Sequence, residues 1–225
     1  MTFSIVGRCA KTGAFGVAIT TSSIAVGARC PHARAGVGAV ATQNVTDPNL
    51  GPMLLDLMSK GLSARDSIDS IIRNRPFIEY RQLTVVDKNG NSASWSGKNI
   101  LGTHAFSEQR DCVAAGNLLK SAGLPKVMTD CFARYASKHL AERLLRSLEA
   151  GLDSGGEEGP VHSAALLVYH QQEFPLVNLR VDWDDVNPIV MLRRLWTDYK
   201  PQMGAYLQRA IDPTAAPSYG VPGDP

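Results

Sequence analysis

A chain of 225 residues with 23 basic and 21 acidic side chains has a formal net charge of +2 and no long block of like charge, so it lacks the electrostatic footprint of a phosphate-backbone binder. Its length suffices for a core without staples and lies near the upper end of what one α/β domain holds, so one domain over residues 1–212 is expected, with 213–225 as a flexible tail rich in Pro and Gly. No basic opening leads into a long apolar stretch, and no run of about eighteen apolar residues occurs, so a cytoplasmic location without membrane contact is expected.

Residues 3–8, 15–21 and 36–43 read as strands, because runs of β-favouring residues alternate with turn residues such as Lys11-Thr12-Gly13 and a loop through Pro31. Small residues crowd these strands and imply close backbone approach between layers or to a ligand. Two helices follow over 50–60 and 64–73, the first with Met53, Leu54, Leu57 and Met58 as its apolar set and Gly61 as its stop. Ser63 with Asp66 three residues on forms the N-cap signature of the second.

Residues 81–87 and 91–96 flank Lys88-Asn89-Gly90 and predict an antiparallel hairpin. Strands at 104–106 and 111–115 lead into helices over 125–137 and 139–152, the latter with a stripe of Leu140, Leu144, Leu145 and Leu148. After a loop at 153–160, a hairpin is expected from 163–169 and 176–181. Asn187-Pro188 then opens a helix through Ile189, Leu192, Leu195 and Trp196. This segregated order predicts an α+β fold: two antiparallel sheets packed together and covered by helices, a four-layer αββα sandwich.

Cys9, Cys30, Cys112 and Cys131 are scattered without a C-x-x-C pair and read as reduced structural thiols. His32, His104, His139, His162 and His170 are equally dispersed, so no local spacing predicts a metal site, and only a distant assembly with acids in the fold would make one. No cofactor is expected.

The most informative position is Thr2. If Met1 is removed, as a small second residue permits, the chain begins with a threonine whose α-amine lies beside its hydroxyl. An α-amine has a reference pKa of about 8 and serves as a general base near neutral pH, which makes that pair a recognised nucleophile.

Thr2-Phe3-Ser4-Ile5-Val6-Gly7-Arg8, Ala25-Val26-Gly27, the segment Ala33-Arg34-Ala35-Gly36-Val37-Gly38-Ala39-Val40-Ala41-Thr42-Gln43, and Arg81-Gln82 with Val85-Val86-Asp87 carry a resemblance. It continues through Ala115-Gly116-Asn117, Leu148-Glu149-Ala150-Gly151, Gly155-Gly156 and Ser163-Ala164-Ala165-Leu166-Leu167-Val168. Over roughly residues 2–181 the chain resembles the domain of unknown function 1028 family, which is similar in fold to the N-terminal nucleophile (Ntn) hydrolases. The resemblance implies cleavage of an amide bond in a small or peptide-like metabolite, with Thr2 as nucleophile and base and Asn117 donating to the oxyanion.

Candidates for substrate binding are Ser22, His32, Arg34, Gln43, Arg81, Gln82, Glu157 and Ser163. Arg34 has the charge to hold a substrate carboxylate or simply pairs with a surface acid, and Asp87, at the far end of its strand from Arg81 and Gln82, reads as a turn residue. Glu157 fits the family pattern, but Glu158 and Gly159 stand where members commonly carry two arginines, so positive charge is missing. The rival expectation is a non-catalytic ligand-binding or scaffold domain with the same fold. Edge strands and the helix containing Trp196 also make a homo-oligomer an expectation, most simply a twofold dimer.

Overall fold

The structure is a computed structural model that describes residues 1–218 and residue 220. In chain order its elements are β1 (Thr2–Arg8), β2 (Phe15–Thr21), β3 (Pro31–Arg34), β4 (Gly38–Gln43), α1 (Leu50–Ser59), α2 (Ala64–Asn74), β5 (Gln82–Asp87) and β6 (Ser92–Ser96). There follow β7 (Ala105–Gln109), β8 (Cys112–Asn117), α3 (Leu124–Arg134), α4 (Leu140–Asp153), β9 (Ser163–Tyr169), β10 (Val177–Val181), α5 (Pro188–Tyr199) and α6 (Met203–Ile211). The strands make a six-stranded sheet in the order β10-β9-β2-β1-β8-β7 and a four-stranded sheet in the order β3-β4-β5-β6. Every pairing is antiparallel. The fold is therefore mixed α+β, with six α-helices among the described residues.

The two-residue period of a strand decides which side chains meet which layer. In β1, Phe3 and Ile5 join a cluster with Met128 and Phe132 of α3, Leu144 and Leu148 of α4, and Leu192 and Trp196 of α5. Val6 instead joins Val17 and Ile19 of β2, Ala39 and Ala41 of β4, and Val86 of β5, a cluster built almost wholly from strand residues of both sheets. A third cluster ties Leu54, Met58, Ile68 and Ile71 of α1 and α2 to Val40, Leu83 and Val85 on the four-stranded sheet.

Two of the glycines predicted to allow close approach do so against helices. A Cβ on Gly7 would stand 2.6 Å from Phe132 Cε2, and one on Gly16 would stand 2.8 Å from Leu144 Cδ1. Ser63 Oγ accepts from the Asp66 amide at 3.1 Å, as the capping signature requires. Asn187 Oδ1 likewise accepts from the Ile189 and Val190 amides.

Several expectations are corrected. The stretch read as a loop through Pro31 contains β3, which pairs with β4. Helix α6 lies where no element was predicted, and none of its residues is buried. Leu55 rather than Met53 completes the buried face of α1, and Leu195 of α5 is exposed. Trp196 is 1% exposed, stacked on His139 and donating from Nε1 to Glu142 Oε2 at 2.8 Å, so of the helix expected to pair subunits it is Val190, Met191 and Leu195, not the indole, that are exposed. Of the tail expected at 213–225, Pro213–Ala215 forms a 3-10 turn capped by Asp212, whereas residues 219 and 221–225 lie outside the described residues. Among the described residues, no helix is long and apolar enough to cross a membrane.

Candidate functional site

Thr2 is the first residue of β1, which lies between β2 and β8, and its register partners are Thr21 on one side and Asn117 on the other. Thr21 in turn pairs with Ser163 at the start of β9. Ser163, Thr21, Thr2 and Asn117 thus form a row across one end of the six-stranded sheet. Each shares strand parity with residues of the inter-sheet cluster, namely Ala165, Ile19, Val6 and Val113. The facing sheet supplies a second row, Gln43, Gln82 and Ser96, in register at the ends of β4, β5 and β6.

Hydrogen bonds join the two rows. Ser4 Oγ donates to Gln43 Oε1 at 2.8 Å, Gln43 Nε2 donates to Gln82 Oε1 at 2.8 Å, and Asn117 Nδ2 donates to the same oxygen at 3.1 Å. Gln82 Nε2 donates onward to Ser96 Oγ and to the Gly116 carbonyl, both at 3.1 Å. Two amides converging on one oxygen fix the orientation of Asn117: Nδ2 faces Gln82 with one of its two hydrogens engaged, and Oδ1 is buried without a partner.

Thr2 is 7% exposed. Its Oγ1 donates to the Met1 carbonyl at 2.6 Å and lies 3.0 Å from Thr21 Oγ1, which also donates to that carbonyl. The Thr2 hydroxyl and the nitrogen that becomes an α-amine on loss of Met1 therefore lie together among the buried polar side chains at this end of the sheet.

Glu157 reaches the same end through the turn that follows α4. Gly155 and Gly156, with φ of 122° and 64°, turn the chain so that Glu157 bridges to Leu119 just beyond β8, and the Glu158 amide donates to the Leu118 carbonyl at 2.9 Å. Glu157 is 2% exposed, yet neither carboxyl oxygen has a hydrogen-bond partner. Burial pushes this carboxyl up to about 8, against the opposing pull of the N-terminal ammonium of Met1 and of the Ser22 backbone, which lies close without reaching hydrogen-bond geometry. Glu157 and Gly159 also line a cavity of about 180 Å³ with Lys120, Leu152 and Val161. A larger groove of about 380 Å³ between α1 and α2, lined by Met53, Lys60 and Arg75, includes no residue of either polar row.

The sequence candidates divide accordingly. Thr2, Asn117, Gln43, Gln82 and Glu157 come to one end of the sheets, and the backbone of Ser22 joins them. Ser163 lies in the row, but its Oγ is engaged, donating to the Ser23 carbonyl at 2.6 Å and accepting from the Val26 amide at 3.1 Å. His32 and Arg34 are not brought there. They pair with Val40 and Gly38 and so face α1, where a Cβ on Gly51 would strike the His32 ring and Arg34 pairs with Asp56 at 2.9 Å. Arg81 has the opposite parity to Gln82 and donates to the Val45 carbonyl. Asp87 lies at the far end of the sheet.

Sequence reasoning missed Ser4, Thr21 and Asn44. Thr21 carried a signal, because β1 and β2 are joined locally and counting outward from Arg8 opposite Phe15 puts Thr21 against Thr2. Asn44, directly after Gln43, is 9% exposed with φ of 52° and an unpartnered Nδ2, and Val45 follows at φ of 36°, a conformation that a β-branched residue rarely adopts.

Comparison with known proteins gives a consistent family and little else. The family model described as "Family of unknown function (DUF1028)" matches residues 2–192. Protein SPO2555 from Silicibacter pomeroyi, whose crystal structure is assigned to DUF1028, is 29% identical, with a TM-score of 0.81 over 88% of this chain and 89% of that one. Anbu (ancestral beta-subunit) from Yersinia bercovieri is 11% identical with a TM-score of 0.39 over 91% and 97% of the two chains, too low for the likeness to carry an argument. No curated protein matches.

Proposed function

The chain belongs to the DUF1028 family, and from that premise we propose that it is a cytoplasmic amidohydrolase of the Ntn type, with the four-layer αββα arrangement, cleaving an amide bond in a small or peptide-like metabolite. The observation that carries this reading is the burial of the Thr2 hydroxyl beside its own backbone nitrogen, in register between Thr21 and Asn117. Loss of Met1 turns that nitrogen into the base the hydroxyl needs.

In the proposed reaction, Thr2 Oγ1 attacks the substrate carbonyl carbon and its proton passes to the freed α-amine. The carbonyl oxygen becomes an oxyanion, facing the second N–H of Asn117 Nδ2 and the Thr21 hydroxyl. As the tetrahedral centre collapses, the C–N bond breaks and the leaving nitrogen takes the proton from the α-amine. Water then adds to the ester on Thr2, giving a proton to the amine, and the ester C–O bond breaks as Oγ1 recovers it. A homo-oligomer, most simply a twofold dimer, is part of the same reading, and sedimentation analysis tests it.

The experiment is an intact mass of untagged protein followed by an amide-metabolite screen. A mass short by one methionine, and turnover that falls by about 10⁴-fold in Thr2→Ala, are the expected results; retention of Met1 in the native protein ends this reading. One observation favours a second one, a non-catalytic ligand-binding domain. With Met1 in place, the Thr2 and Thr21 hydroxyls are both satisfied by its carbonyl and the amine is acylated. That domain would show saturable binding that survives Thr2→Ala.

A further inference from the structure

Met1 is an acyl group on the nitrogen of Thr2, and the nitrogen and Oγ1 of one threonine are close neighbours. An acyl group carried on Oγ1 therefore occupies nearly the volume that Met1 fills. Three interactions describe that volume. The Met1 carbonyl oxygen receives the Thr2 and Thr21 hydroxyls. Its thioether end lies over Gly159, where an added Cβ would come within 2.6 Å of Met1 Cε and 3.3 Å of Sδ. Its ammonium makes no ion pair with Glu157, an acid 2% exposed with both oxygens unpartnered two residues before Gly159, but its charge pulls on that carboxyl through space. A buried carboxyl with no donor is costly to keep ionised, and a cation placed against it offsets part of that cost.

Resting on the proposed hydrolase reading, we infer that the space vacated by Met1 is an acyl-side subsite built for α-aminoacyl amides that carry a free ammonium and an unbranched side chain of about methionine's length. Glu157 receives the ammonium, and the absence of a side chain at Gly159 leaves room for the distal atoms. An N-acylated substrate brings no cation and leaves Glu157 unpaired. A β-branched or aromatic acyl group widens where Met1 is narrow.

The test uses full-length protein carrying Thr2→Ala, which cannot turn over, with loss of Met1 verified by mass. Calorimetric titration with L-methioninamide and N-acetyl-L-methioninamide is expected to show preference for the free amine on the order of 10- to 100-fold, the usual worth of a hydrogen bond to a charged group. Adding Glu157→Gln is expected to erase that preference. Gly159→Ala is expected to weaken L-methioninamide while leaving glycinamide unchanged, so the subsite is tested by two independent variants whose folding circular dichroism monitors. Equal affinity for the two methionine amides, no binding of either, or a preference that survives Glu157→Gln overturns the inference. Because binding is read without turnover, the two readings fail separately. Amide turnover indifferent to a free amine retains the hydrolase and removes the subsite. Ammonium-selective binding in Met1-free protein that hydrolyses nothing does the reverse.

Discussion

Asp87 and Glu157 are carboxylates of nearly equal burial, 3% and 2% exposed, at opposite ends of the protein's sheets. Asp87 is saturated: it accepts from the Ala64, Asn89 and Asn91 amides and from Asn91 Nδ2, all within 3.1 Å. Around it the end is laced shut, with Asp111 taking Arg8 Nη1 at 2.6 Å and bonding the Gly90 carbonyl through its amide. Neither oxygen of Glu157 has a partner within hydrogen-bond geometry, and Asn117 Oδ1 and Asn44 Nδ2 at the same end are also unpartnered. One buried acid is used to tie a turn to a helix N-terminus; the other is held in a state that invites a cation. Depth alone does not distinguish structure from function, and the inventory of donors does.

That contrast breaks most readily at Asp87. Asp87→Ala orphans several buried donors and is expected to lower unfolding free energy by about 4 kcal/mol in urea denaturation, with turnover per folded molecule unchanged. Asn117→Ala at the other end is expected to reverse the pattern, raising the barrier by about 3 kcal/mol, visible as a fall in kcat larger than any rise in KM. Asn117 loses one hydrogen bond, so its stability cost is small beside that of Asp87.

Glu157→Gln sharpens the comparison through pH. Burial pushes the Glu157 carboxyl of the Met1-bearing chain up to about 8 from 4.5 for the unshifted group, so between those values the unfolded chain is ionised while the folded one still holds its proton. Stability associated with the protonated acid is complete below about 4.5 and is lost as pH rises toward 8. The variant lacks this titration, so its stability relative to wild type should rise by about 1.4 kcal/mol for each pH unit across that window, measured by denaturation at pH 5 and pH 8. A parallel pH dependence in the two proteins would refute the raised carboxyl. Arg34→Ala, which removes an exposed pair with Asp56 on the α1 side, is expected to change stability by less than about 1 kcal/mol and to leave ligand binding intact.

Much of the fold was legible because its signals are local. The Ser63 and Asn187 caps, the Asn89-Gly90 turn, and the leucine stripe of α4 each depend on residues within a few positions of one another. Two elements escaped for physical reasons. β3 has four residues, three of them half-buried, and carries no clear alternation; α6 has no fully buried residue and meets the core only through half-buried side chains such as Met203, too weak an apolar face to read from sequence. At the site, Thr2 was identified from its place beside a removable Met1 and Asn117 through family resemblance, but their adjacency is a matter of strand register between segments remote in sequence. For His32 and Arg34 the deciding fact is strand parity, which exists only once β3 is seen to be a strand. Pairing β3 with β4 places both on the α1 face, with Val40 and away from Gln43. Glu157 came from the resemblance, while its want of partners required three dimensions.

The central position of β1 also has a temporal consequence. Its first neighbour, β2, is made at once, but β8 supplies the other edge only when residues up to Asn117 have left the ribosome, and β2 waits for β9 up to Tyr169. During synthesis the opening hairpin therefore presents two unpaired apolar edges for most of the time the chain takes to emerge, the interval in which sheet proteins are most exposed to self-association and in which long-range pairing slows folding.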